Sequence, residues 1–298
     1  MAVTDDTPAA PAALPTASTP THFEICVLGS GSKGNCTVLR VRRGDEDLFS
    51  CLIDLGLSPR MTAARLDAIG MSMEQVQSAV LTHLDRDHCH EGWAQGLSRH
   101  VEVFVHKGHL DRAYRYGLNR GFMHGFEEAF DTRNGLRVAP VMTFHDVLGT
   151  AAFRVSLPAA AHAGELGFAT DCGRVTDELL EHLRGVDVLA IESNYCPVMQ
   201  AESERPEFLK RRITGGRGHL SNDETLEAIH AIGPSEHVVL LHLSRECNCP
   251  ERVAGLHEGA DYSVTIAGQD EPTRWVRVER GARVLMAQGS LFGPAAIR

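Results

Sequence analysis

The segment Leu81-Thr82-His83-Leu84-Asp85-Arg86-Asp87-His88-Cys89-His90 sets five His and Asp side chains within eight residues, at the end of an apolar run. Imidazole nitrogens and carboxylate oxygens are ligands that divalent metals take. His83 and Asp85 stand two apart in a stretch that reads as extended, so both side chains face one way, and Asp87 and His88 follow where the chain turns. Such a set can serve two adjacent ions. Taken singly, each residue reads as a surface histidine or a salt-bridged aspartate. His145 in Thr143-Phe144-His145-Asp146 and His242 in Leu240-Leu241-His242-Leu243-Ser244 also follow strand-like runs, and Asp171 closes Ala169-Thr170-Asp171, placing a carboxylate where a bridging ligand could sit. Two cations about 3.5–4 Å apart lower the pKa of water, polarise a phosphoryl or carbonyl oxygen and stabilise a leaving oxygen, so no protein nucleophile is needed.

Cys89 and His90 adjoin the cluster as weaker candidates, while His100, His106, His109, His124 and His162 have no partner at ligand spacing and read as surface or core histidines. Cys247 and Cys249 form only C-x-C, with no second pair at zinc-ribbon spacing. Two glycine-rich stretches could approach an anion. Gly29 to Asn35 carries Ser30, Ser32, Lys33 and Asn35 without the Walker pattern, its other reading being a tight hairpin. Thr214 to His219 precedes a helix that should begin near Ser221 or Asn222, where the helix start favours an anion, its other reading being a flexible loop with an N-cap serine. Lys210, Arg211, Arg212 and Arg217 make a local basic cluster or a solvated face.

The elements that must position these groups read as interleaved strands and helices. Strands are expected over Phe23–Leu28, Thr37–Val41, Phe49–Ile53, Ala79–Thr82, Val101–Val105, Leu136–Thr143, Ala152–Ser156, Gly167–Thr170, Val186–Glu192, Val238–Leu243 and Trp275–Val278. Helices are expected over Pro59–Ile69, Asp177–Arg184 and Asp223–Ile232, with Gly70 and Gly233 where C-terminal caps belong. That order gives an α/β layered domain. Residues 1–21, rich in Ala, Pro and Thr, read as a disordered tail, and 22–298 as one domain.

At 298 residues, with 43% hydrophobic and 23% charged residues, the chain can bury a sizeable core. No window is apolar enough for a membrane span and the amino terminus lacks a basic-then-apolar leader, so a cytoplasmic protein is expected. The eight cysteines lie mostly in strand-like runs, as do Cys26, Cys36 and Cys51, and read as free thiols. A net charge of −10 argues against broad, non-specific nucleic-acid binding but leaves room for a local basic site. The oligomeric state is not specified by the sequence.

In order and spacing these residues resemble the metallo-β-lactamase superfamily, whose signature is H-x-[HED]-x-D-H followed by a distant His, an Asp and a last His. Closer still, Leu28-Gly29-Ser30-Gly31-Ser32-Lys33-Gly34-Asn35, Ile191-Glu192-Ser193-Asn194, Gly218-His219-Leu220-Ser221-Asn222 and His242-Leu243-Ser244 look like the YycJ-type branch of single-domain bacterial hydrolases, described as DNA exonucleases or phosphodiesterases. The resemblance covers nearly the whole chain after the tail. It implies a four-layer αβ/βα fold, two mixed β-sheets sandwiched between helices.

Carried over by motif, His83, Asp85 and His145 would hold a first metal, Asp87, His88 and His242 a second, and Asp171 would bridge them. Asp54, in Leu52-Ile53-Asp54-Leu55-Gly56, would orient ligands rather than bind metal. The branch usually has a second histidine where this chain has Asp85, and an anionic oxygen ligand there shifts preference from zinc towards Mn²⁺, Fe²⁺ or Mg²⁺. Asp87 is then a candidate proton acceptor and His219 a candidate proton donor to the leaving group. Ser30, Ser32, Lys33, Asn35, Ser193 and Asn194 are candidate substrate contacts. The implied activity is phosphodiester hydrolysis at a DNA or RNA end, including single-stranded ends, by the core fold alone, since no large inserted domain fits in this length. A thioester or lactone hydrolase with the same dinuclear site is the alternative, and a non-catalytic binding protein a third class.

Overall fold

Alternate side chains of the first strand, β1 (Thr21–Gly29), serve two different cores. Phe23, Ile25 and Val27 point into one, Cys26 and Leu28 into the other, which is the period-2 geometry of a strand buried on both faces. The computed structural model describes residues 21–118, 122–133, 135–145, 147–160 and 162–280. The expected tail thus lies outside the described residues except for Thr21, which opens β1.

With strands numbered along the chain, β1 joins β2 (Cys36–Arg43), β3 (Glu46–Ile53), β4 (Val76–Val80), β5 (Glu102–His106), β6 (Phe122–Phe126) and β14 (Val276–Val278) in a sheet of order β14-β1-β2-β3-β4-β5-β6. The second sheet runs β13 (Ser263–Ile266), β12 (His237–Leu241), β11 (Val188–Glu192), β10 (Leu166–Ala169), β9 (Thr150–Ser156), β8 (Arg137–Thr143) and β7 (Phe130–Asp131). Each is mixed: β3 to β6 and β10 to β13 are parallel, and the remaining pairs antiparallel.

Val138, Phe153, Val155, Phe168, Val188 and Val239 of the second sheet meet Phe23, Ile25, Leu39 and Ile53 of the first in one inter-sheet core. On the outer face of the first sheet lie α1 (Pro59–Ala68), α2 (Trp93–Gly96) and α3 (Leu110–Arg115), seated through Leu66, Trp93 and Ala113. On the outer face of the second lie α4 (Asp177–Leu183), α7 (Asn222–Ile232) and α8 (Pro250–Leu256), seated through Leu179, Leu183, Ile229 and Val253. The order helix, sheet, sheet, helix is the four-layer arrangement expected. Two further helices, α5 (Pro197–Glu202) and α6 (Glu207–Thr214), follow β11, and α6 lines the cavity at the edge where the strands end.

The sequence expectation differs at several ends. β12 stops at Leu241, not Leu243, because His242 adopts a left-handed backbone conformation. β11 begins at Val188 rather than Val186. α2, α3, α5, α6 and α8 and strands β6, β7 and β13 were not expected. No helix among the described residues is long and apolar enough to cross a membrane, and all eight cysteines are free.

Candidate metal centre

Strands of both sheets end on one side of the sandwich, and their last residues bring the polar groups there. Asp54 follows β3, the His83 to His88 segment follows β4, His145 follows β8, Asp171 follows β10, Glu192 ends β11 and His242 follows β12. In open α/β sheets this carboxyl edge is where ligands bind. Among the described residues, the non-glycine residues with positive φ are Asp54 (63°), Asp171 (51°) and His242 (55°). Each such conformation costs about 1–3 kcal/mol and persists only where the surroundings over-determine it. For His242 those surroundings are visible: its N–H donates to Ser30 Oγ at 2.8 Å and its carbonyl accepts from Asn194 Nδ2 at 2.7 Å. Gly56 serves the same end by its size, since a Cβ there would stand 1.7 Å from the Asp87 carbonyl oxygen.

Three imidazoles turn Nε2 towards a common centre because each Nδ1 is committed behind it. His88 Nδ1 donates to Asp54 Oδ2 at 2.7 Å, His145 Nδ1 to the Gly218 carbonyl at 2.9 Å, and His83 Nδ1 faces Thr82 Oγ1 at 3.0 Å. Asp54 also accepts from the Thr82 N–H and hydroxyl, so one buried carboxylate orients the strand end and the ring together. The His83 Nε2 is fully buried with no hydrogen-bond partner. A buried ring nitrogen left unpaired is costly unless a ligand takes its lone pair.

The donor atoms fall into two groups sharing Asp171. Asp85 Oδ2 lies 3.9 Å from His83 Nε2 and 3.8 Å from His145 Nε2, and Asp171 Oδ2 lies 3.8 and 3.6 Å from the same two nitrogens. On the other side, Asp87 Oδ2 stands 3.7 Å from His88 Nε2 and 3.6 Å from His242 Nε2, with Asp171 Oδ2 3.2 Å from His88. Ligands at about 2.0–2.2 Å from a common cation stand about 3–4 Å apart, so both groups have the spacing of a coordination sphere. His242 Nδ1 hydrogen-bonds Asp171 Oδ1, the carboxylate's other oxygen.

Burial lowers His83 well below the ordinary histidine value, and the neighbouring His88 lowers it further. Burial opposes a charge on His88, yet Asp171 and Asp54 together raise it well above that value. Asp171 is likewise pushed up by burial but ends well below the usual carboxylate range under the fields of His242, His88 and His219. A cation entering such a cluster displaces protons, so metal binding weakens as pH falls.

Behind His219, the buried Glu192 completes a pair: Glu192 Oε2 lies 3.0 Å from His219 Nδ1, and Oε1 accepts the Cys172 N–H. Glu192, Asp171, His219 and His242 also gather donor atoms within 4.8 Å of one another, but with both oxygens of Glu192 engaged we read that carboxylate as orienting His219. Sequence reasoning quoted Glu192 within Ile191-Glu192-Ser193-Asn194 but gave it no role, because its partner His219 lies far along the chain. Of the six expected substrate contacts, Ser32 and Asn194 line the cavity over the centre. Ser30 and Asn35 are buried: Asn35 Nδ2 stands 3.0 Å from His88 Nε2 and its N–H donates to the Asp87 carbonyl at 2.7 Å. Ser193 is buried against Asn222, and Lys33 is exposed beside Gln269. His90 Nδ1 accepts the Gly92 N–H, and burial pushes the Cys89 thiol up to about 12; neither joins a donor group, nor do Cys247 and Cys249.

The family described as beta-lactamase superfamily domain matches residues 48–243. The chain is a member of the β-lactamase superfamily. Among curated proteins it is 29% identical over 247 residues to exodeoxyribonuclease YycJ of Bacillus anthracis, covering 77% of this chain and 85% of that one. It is 25% identical over 268 residues to exodeoxyribonuclease WalJ of Streptococcus pneumoniae, covering 84% and 96% respectively. Among solved structures, the metallo-β-lactamase fold protein YhfI of Bacillus subtilis superposes with a TM-score of 0.63 at 16% identity, covering 87% of this chain and 99% of the other. Membership in the superfamily implies divalent metal ions, and the donor set here fits them: four imidazoles and three carboxylates, with His83 Nε2 unpaired.

A superfamily centre with a carboxylate at position 85 needs that carboxylate held, and Arg112 from α3 holds it. Its NH2 donates to Asp85 Oδ1 at 2.9 Å, leaving Oδ2 towards His83 and His145, while Tyr116 OH accepts from the same guanidinium. The positive charge also repels a cation, so two effects oppose. The side chain is partly exposed and its field screened, whereas loss of a ligand-orienting partner costs about 10–100-fold in metal affinity. Arg112→Met should therefore weaken one of the bound ions by that factor in a chelator-competition titration. Tighter binding would mean that repulsion dominates.

Proposed function

We propose that this chain is a metal-dependent phosphodiesterase, acting as an exonuclease on DNA or RNA ends with two divalent cations, and that residues 22–298 form its single domain in the cytoplasm. The observation that carries this reading is the convergence of both donor groups on Asp171 beneath a polar cavity of about 340 Å³. His83, Asp85 and His145 would hold one ion and Asp87, His88 and His242 the other, with Asp171 within reach of both. Bound there, two cations supply Lewis acidity and acidify water enough to make a nucleophile near neutral pH.

The chain's own groups do the rest. Asp54, Thr82 and the Gly218 carbonyl fix three ring orientations before substrate arrives. Asp87, at the cavity wall, accepts a proton from the attacking water. His219, also on that wall and steadied by Glu192, gives a proton to the leaving oxygen. The nitrogen and oxygen donors, without thiolate, suit zinc, manganese or iron, and the anionic Asp85 shifts the preference towards the latter two. The cavity also carries Arg205 and Arg212, which favours an anionic ester over a thioester or lactone, and the curated relatives named as exodeoxyribonucleases support the same choice.

The test is metal analysis of the purified protein together with rates on bis-p-nitrophenyl phosphate, a single-stranded oligonucleotide and a thioester under added Mn²⁺ or Zn²⁺. We expect about two metals per chain and cleavage of both phosphodiesters. Turnover confined to the thioester, or protein that binds no metal, overturns the reading.

A further inference from the structure

We infer that Arg205, Arg212 and Ser244 form a phosphate subsite in the same cavity, taking a phosphate of the nucleic-acid strand one linkage away from the bond cleaved; this rests on the phosphodiester reading above. All three line the cavity into which Asp87, His219 and His242 open. Ser244 comes two residues after His242, so the subsite adjoins the metal donors in the chain.

Donors there exceed acceptors. Arg205 follows α5 and is largely buried: its Nε donates to Glu246 Oε2 at 2.6 Å, one NH1 proton to Gln200 Oε1 at 3.2 Å and one NH2 proton to Ser244 Oγ at 3.1 Å. Each terminal nitrogen carries two protons, so one on each is uncommitted in these contacts. Ser244 Oγ accepts from Arg205 and from the Cys247 N–H at 3.2 Å, which leaves its own proton free to donate. Gln200 is 2% exposed and its amide nitrogen has no partner. From α6, Arg212 brings an exposed guanidinium that makes no hydrogen bond or ion pair among the described residues.

Glu246 is the opposing group in contact with Arg205, and the other carboxylates of the lining, Asp85, Asp87 and Asp171, are those of the metal donor groups. Glu246 is 69% exposed and engages the Nε edge of Arg205, so its charge is well screened and the other edge stays open. Two guanidinium groups and a hydroxyl with unspent donors suit a phosphate, which accepts several charge-assisted hydrogen bonds at once. An ester with one phosphate can use the metal centre but has nothing to place in this subsite. A polynucleotide has both.

The test uses Arg212→Ala, because Arg212 is exposed and its removal empties no core. Steady-state kinetics of the metal-loaded enzyme would be compared on an oligonucleotide and on bis-p-nitrophenyl phosphate, with Arg212→Lys as the charge-preserving control. We expect KM for the oligonucleotide to rise about tenfold, with kcat changed far less. The loss should exceed that on the small ester several-fold, be partly rescued by lysine, and lower the dependence of log KM on log salt by about one. Equal losses on both substrates, or none on the oligonucleotide, overturn the subsite while leaving the phosphodiesterase standing. Wild-type protein inert on both esters overturns the reading beneath it and the subsite together.

Discussion

Asp171→Asn is expected to strip the protein of metal and to lower kcat/KM on an oligonucleotide by about three orders of magnitude or more, the several kcal/mol that metal assistance supplies to such a transition state. Asn keeps the shape and the tolerance for a left-handed backbone, so the fold should survive. What it loses is charge. Asp171 Oδ2 stands within 3.2–3.8 Å of His88, His145 and His83, and its other oxygen faces His242. An amide can offer one oxygen but no negative charge to two ions, and its NH₂ would point a donor at ring nitrogens that must stay bare. Metal content by mass spectrometry and circular dichroism read the two halves separately. A folded variant that keeps both ions and is within about tenfold of wild-type activity would show that the carboxylate is not shared.

How far the site was legible in the sequence can be argued from single residues. His83, Asp85, Asp87 and His88 were legible because ligands crowd into one turn, a density that few other uses demand. His145, Asp171 and His242 were legible as polar residues ending apolar runs. The strands themselves were legible where an apolar run was long enough, as at Phe23–Leu28, and the helix at Asn222–Ile232 announced itself through Ser221, whose capping box with Glu224 fixes its start. What was hidden is non-local. Ser30, Asn35 and Ser193 look like substrate contacts in a glycine-rich or polar string, but their partners lie far along the chain: His242 for Ser30, Asp87 and His88 for Asn35, Asn222 for Ser193. Arg112 gave no signal, since its meaning depends on α3 packing beside β5 so that it reaches Asp85. Of the basic run, Arg212 lines the cavity, while Lys210 donates to the Ala201 carbonyl and Arg211 to that of Glu207.

The left-handed residues connect these levels. Asp54 and His242 each follow a strand directly, where another extended residue would carry the side chain to the opposite face, and Asp171 comes two residues after the end of β10. A left-handed step turns the chain abruptly instead, and glycine, the usual residue for it, has no ligand to offer. The site therefore accepts strain at three positions and holds it with hydrogen bonds to neighbouring loops, Ser30 and Asn194 around His242 among them. Rigid positioning of this kind is what a centre made from several separate strand ends requires, because no local periodicity sets the distances between them.

His219→Ala should divide the substrates by leaving group. A nucleoside alkoxide is a strong base and needs a proton as the P–O bond breaks, whereas p-nitrophenolate departs stabilised without one. If His219 is the donor, its loss should cost about 10²–10⁴-fold in kcat on an oligonucleotide and much less on bis-p-nitrophenyl phosphate. Glu192→Gln should show the same asymmetry more weakly, since Glu192 Oε2 lies 3.0 Å from His219 Nδ1 and steadies the ring rather than touching substrate. Metal content separates this from the competing use of the same atoms, because Glu192, His219, Asp171 and His242 could also be read as one cation's ligands. In the donor reading both variants keep their metal. Equal losses on the two esters accompanied by loss of an ion would instead make His219 a ligand, and the leaving oxygen would have to depart by metal stabilisation alone.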